Sequence, residues 1–244
     1  MTGIFRKLRK YFLSQGKARQ YLAYALGEIL LVTIGILIAI QINGLYEDSA
    51  DRKKEKEYLE AYRADLLNKL VELDRVICKR EETIQRMDSL LQWSQRKQIE
   101  IPIDTIESHI VTIGFYTIFQ SSDGTIEDIL ASGDVNIIQD DRLRQSIVSW
   151  ESNIKFTKEW ERLGQDSAQE GMDFMTKHIP LYKNGLNQQF LTEELLNQLM
   201  KDTYFLNMVD NQKVISNQLN PLYIEIRNTH WELLEILDKK IEQL

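Results

Sequence analysis

The chain has 244 residues with 30 basic and 37 acidic side chains, a net charge of −7. The charge is uneven: residues 1–46 carry six Lys or Arg and one acid, which leaves −12 for residues 47–244. So acidic a body excludes nucleic acid as a partner, because phosphate needs a basic face, and a single cysteine, Cys78, excludes an intrachain disulfide or a thiolate metal cluster.

The first element is basic. "FRKLRKYF" places Ile4, Phe5, Leu8, Tyr11 and Phe12 on one side of a short amphipathic helix, suited to lie on a membrane surface. Membrane lipid is therefore an expected partner. An apolar run, Leu22 to Ile42, follows, and Glu28 is its one acid. Its 21 residues match the ~20 that cross a bilayer core. A signal peptide has a shorter apolar region, about 7–15 residues, and a small-residue cleavage site. "QINGLYEDS" is a poor one, so an uncleaved anchor is expected; a buried helix of a soluble protein is the bland alternative.

The flanks predict orientation. Six cations precede the run, whereas Glu47 to Glu57 mixes five acids with four bases. The positive-inside rule keeps the N-terminus in the cytoplasm of an inner membrane and exports the body to the periplasm. The expected organisation is a cytoplasmic segment at 1–20, a transmembrane helix at 21–46 and a periplasmic helical bundle at 47–244. Within the span, Ala23, Gly27, Leu31, Gly35 and Ala39 recur every four residues, with Glu28 at their border. Such a small-residue stripe lets two helices approach closely, so a homo-oligomer or another membrane protein is the expected partner. The alternative is a lone span with incidental glycines. For Glu28, packing, protonation and a partner contact all remain open.

Beyond the span, only three prolines and eleven glycines punctuate the whole chain, which predicts long helices. Leu59, Tyr62, Leu66, Leu70, Leu73, Ile77, Arg80, Ile84, Met87 and Leu91 fall at spacings of three or four, close to a heptad seam on a helix running to about residue 98. Cys78 is expected to be a buried, inert thiol. Asp104 with Glu107 reads as a capping box after Pro102, and His109 to Phe119 as an apolar helix. Ser122 or Asp123 caps a short helix that Gly133 ends. Asp140 caps a helix to Gly164 or beyond, with Leu143, Ile147, Trp150, Ile154 and Phe156 inward. Thr192 caps another. The last helices are expected over 193–219 and 222–243, kinked or restarted at Pro221, with the terminal one antiparallel to the first. The predicted class is all-α, a transmembrane helix continuing into a coiled-coil-like antiparallel bundle.

The chemistry read from the residues is sparse. His109, His178 and His230 have no metal-ligand spacing, and no nucleophile elbow, phosphate loop or dinucleotide fingerprint is present. No catalytic residue, metal or cofactor is expected. His230 reads as a core or interface histidine. "DNQK" and "NQLNP" read as exposed faces, or as linings of a site between helices.

Gly27-Glu28-Ile29, Ile34-Gly35-Ile36-Leu37-Ile38-Ala39 and Gln41-Ile42-Asn43 together resemble the amino-terminal signature of an uncharacterised single-span membrane family. That family, a domain of unknown function, is common in flavobacteria and other Bacteroidota. The resemblance is close over about 45 residues and looser at "LASGDVNIIQDDRLR"; Gly44-Leu45-Tyr46 departs from the Asn-Trp of many relatives. It implies a membrane location and a helical body, and no activity. The expected function is a non-enzymatic, membrane-anchored scaffold or partner-binding subunit. The alternative is a sensory or ligand-binding ectodomain signalling through a partner, since about 20 cytoplasmic residues leave no room for an output domain.

Overall fold

The structure is a computed structural model and describes residues 18–244, so the basic amphipathic segment "FRKLRKYF" lies outside the described residues. It is all-α, with no strand among the described residues. The chain divides into two units, Met1–Glu55 and Lys56–Leu244.

The described part of the first unit is uninterrupted helix within α1 (Ala18–Ser94). Its apolar stretch is long and apolar enough to cross a membrane, and none of the most apolar window is buried. Burial therefore does not account for this run of Leu, Ile and Val, as it would in the core helix of a soluble protein.

The second unit is a bundle. Its long members are the C-terminal part of α1, α4 (Asp141–His178) and α7 (Thr203–Ile241). Between α1 and α7, Arg63 meets Asp238, Asp74 meets Arg227 and Asp88 meets Lys213. The number rises by 11 and then 14 along α1 while it falls by the same steps along α7, so the two helices run antiparallel in constant register. Those steps are three and four helical turns, which keeps the contacts on one face.

The fourth member is broken. It comprises α2 (Ile103–Ile110), a 3₁₀ turn at Val111–Gly114, an extended stretch, α3 (Gly124–Ser132) and a second 3₁₀ turn at Asp134–Ile137. It descends α1 in reverse: Ser108 lies against Arg86, Thr117 against Arg80, Asp123 against Lys69 and Asp134 against Tyr58. Two short helices, α5 (Tyr182–Gly185) and α6 (Glu193–Leu199), join α4 to α7.

Three apolar clusters fill the bundle along its length. Met87 and Leu90 pack with Ile106, Ile110, Phe174 and Phe205 at one end. Leu73, Val76, Phe119 and Tyr223 form the middle, and Leu59, Leu66, Ile126, Leu143 and Leu237 the other end.

Several expectations hold. Asp140 accepts from the Arg142 and Leu143 amides, Thr192 accepts from Leu195, and Gly133 ends α3 at φ +77°. Others are corrected. α1 stops at Ser94, where a turn replaces the expected four further residues. Glu107 closes no capping box; its carboxylate accepts from the Phe190 and Leu191 amides and ties down a distant loop. The helix expected over His109–Phe119 stops at Gly114, where a Cβ would lie 2.6 Å from both Met172 Cε and Met175 Cε. α4 is a single helix to His178, within the expectation of a helix to Gly164 or beyond. α7 runs unbroken through Pro221, which sits on the outer face with Asn217, so water can take the carbonyl that lacks an amide. Cys78 and Phe156 are exposed.

Candidate functional site

The stripe picked out in the span lies on helix throughout. Ala23, Gly27, Glu28, Leu31, Gly35 and Ala39 are all exposed, and a Cβ built at Gly27 or Gly35 meets nothing within 4 Å. The face is open. The side-chain hydrogen bonds of the span lie elsewhere, where Thr33 donates to the Ile29 carbonyl and Asn43 donates to Glu47.

The second unit holds a feature that the heptad seam does not show, a column of polar side chains through its interior. Lys69 is 2% exposed and donates to Asp123 at 2.7 Å. Its ammonium also stands 4.4 Å above the Trp150 ring. Trp150 in turn packs on His230, with ring centroids 5.2 Å apart. Higher up, Arg80 donates to the Thr117 carbonyl at 3.0 Å and to the Tyr116 hydroxyl at 2.9 Å, and stacks over the Tyr116 ring. Tyr223 accepts from the Phe119 amide and donates to Glu161 at 2.6 Å. Gln212 donates to the Phe115 carbonyl.

Most of this column has a structural explanation. Residues 115–123 belong to no helix or strand before α3 begins, so their inward amides and carbonyls need side-chain partners. Gln212, Arg80 and Tyr223 supply them at Phe115, Thr117 and Phe119. Gly164 makes room: a Cβ there would fall 1.8 Å from Tyr116 Cζ. Gly171 does the same for Ile113, whose carbonyl oxygen would lie 2.9 Å from a Cβ at that position. The "DNQK" and "NQLNP" runs are thus only partly exposed faces, since Gln212 and Asn220 are buried. Lys69 leaves little sequence signal, because it adjoins Leu70 and hides within the seam.

Electrostatics follow from burial. Burial pushes the Glu161 carboxyl up, against the hydrogen bond from Tyr223. Burial also raises the Tyr223 phenol, and the Glu161 carboxylate adds to the shift. Burial acts upward on Asp123, but the hydrogen bonds from Lys69 and Ser121 outweigh it and hold the group below its ordinary value. Burial brings His230 down to about 4, helped by the Lys69 charge. Neither His230 nitrogen has a hydrogen bond of normal geometry; the Ile226 carbonyl, already in the helix ladder, only opposes the shift. His230 is therefore a neutral core imidazole, as its seam position suggested.

His230 and Trp150 also border a cleft of about 340 Å³ between α4 and α7. Asn153, Thr157, Glu225 and Thr229 line it with apolar Ile154 and Leu233. The other histidines pack on aromatics, His109 on Trp93 and His178 on Phe174. Among the described residues no group of three or more His, Cys, Asp or Glu is placed to hold a metal.

No curated protein and no solved structure matches the chain. A family model does, over residues 28–159, which takes in the apolar stretch from Glu28 onward, the rest of α1, the broken member and the first half of α4. That is more than half of the chain, and the protein belongs to the family of unknown function DUF6090.

Proposed function

We propose that the protein is an inner-membrane-anchored, non-enzymatic scaffold or partner-binding subunit whose acidic bundle faces the periplasm. One observation carries the anchor: the apolar stretch of α1 is wholly unburied, with Leu22, Leu31 and Ile42 each more than 60% exposed. In water about 21 such side chains would forfeit their burial energy; in a bilayer they recover it. The charge step between residues 1–46 and the body supports the orientation. The open face of Ala23, Gly27, Leu31, Gly35 and Ala39 supports pairing with another span, in a second copy or in a different membrane protein. Gly27 of the Gly-Glu-Ile element and Gly35 and Ala39 of the Ile-Gly-Ile-Leu-Ile-Ala element belong to this pairing surface.

The test is a disulfide-crosslinking scan through residues 23–43 in native membranes, on a C78S background, with a tag at Leu244. Crosslinks should peak about every fourth residue, and the tag should be protected from protease until the outer membrane is opened. A flat crosslinking profile argues against pairing. A tag in the cytosol, or protein in the detergent-free supernatant, removes the anchor.

A further inference from the structure

We infer that the cleft between α4 and α7 is a binding site for an amphipathic organic cation, an ammonium group carried on an aromatic or aliphatic body. This inference concerns the second unit alone and stands whether or not the first unit pairs with another span.

The space is of the right size, about 340 Å³, within the range of small-molecule pockets. Its walls fit such a ligand. Trp150, Ile154 and Leu233 offer apolar surface, with hydroxyls from Thr157 and Thr229 between them. The one charged side chain lining the cleft is Glu225, exposed on the outward side of α7. No Lys or Arg lines it, so a carboxylate or phosphate ligand would find no counter-charge.

The two basic groups beneath the cleft add no net positive charge. Lys69, behind Trp150, is committed to Asp123 at 2.7 Å. His230, 1% exposed and without a hydrogen bond, stays uncharged over the physiological range because burial opposes its protonation. An entering ammonium therefore meets a carboxylate at the rim, the aromatic side chains of Trp150 and Phe156 in the walls, and no net positive charge beneath. The −12 of residues 47–244 raises the local concentration of cations in the same sense.

The experiment uses the full chain in phosphatidylcholine nanodiscs at near-physiological salt, with empty discs subtracted. Two probes of like size and opposite charge are titrated by calorimetry: 2-phenylethylamine and 3-phenylpropionate. The amine should bind roughly tenfold more tightly than the acid. Glu225→Gln, an exposed change, should bring the two within about threefold. Thr229→Trp, at another exposed position, should fill the cleft and weaken the amine by at least about tenfold, with circular dichroism and melting unchanged. Equal binding of the two probes overturns the inference. So does an amine preference that survives Glu225→Gln, which would be a general attraction to an acidic surface, or amine binding undiminished by Thr229→Trp.

Discussion

At the scale of single residues, Gly164 carries the most information. A glycine inside a helix costs about 1 kcal/mol relative to alanine, so a mid-helix glycine needs a reason. Here the reason is Tyr116, whose ring occupies the volume a Cβ would take and whose hydroxyl accepts from Arg80. Gly164→Ala should gain helix propensity yet lose more by displacing that ring. The expected net loss is about 1–3 kcal/mol, measured by thermal or denaturant unfolding. Gly185→Ala is the control, since nothing lies within 4 Å of its Cβ position. The sequence suggests a helix to Gly164 or beyond and gives no reason for the glycine; the close approach that explains the residue comes from a segment some 50 positions away.

At the scale of elements, two aspartates at helix starts do different work. Asp140 caps α4 with its side chain, whereas Asp123, in the same position before α3, makes no cap bond and pairs instead with buried Lys69. Their substitutions should separate. Asp140→Ala should cost about 1 kcal/mol, the ordinary value of a lost cap. Asp123→Ala should cost about 3–5 kcal/mol, because it strands a buried ammonium. Unfolding of both variants in parallel checks this, and equal losses would mean Lys69 finds another partner. The elements themselves were legible where local chemistry governs: the seam from Leu59 to Met87, the caps at Asp140 and Thr192, and the left-handed Gly133. They were illegible where a distant contact overrides local preference. Nothing local shows that Met172 and Met175 crowd Gly114, or that Arg80, Tyr223 and Gln212 bond the backbone of residues 115–119.

At the scale of the whole molecule, the interior column ties folding to pH. His230 sits at about 4 in the fold and near 6.5 when unfolded. Between those values the unfolded chain binds more protons, so stability is complete above about pH 6.5 and declines as pH falls. The loss from this one group is about 2 kcal/mol by pH 5 and about 3 kcal/mol by pH 4. Asp123, held below its ordinary value, acts in the same direction at still lower pH, whereas Glu161, held above its ordinary value, opposes it. Melting temperature should fall between pH 7 and pH 5, and His230→Leu should flatten that limb. An unchanged limb in the variant would place the titrating group elsewhere.

By itself the sequence determined the class and the periodic parts of this protein: an apolar stretch of membrane-spanning length, long helices, and a terminal helix returning antiparallel along the first. Those properties are written in spacing and composition, which act between residues close along the chain or repeat regularly. Only the tertiary structure decided that one bundle member is broken and partly extended, that Lys69, Arg80, Gln212 and His230 lie inside, and that α4 and α7 leave a cleft between them. Those outcomes depend on which side chains meet across long gaps in the chain, where burial turns a polar group's need for a partner into a choice of structure.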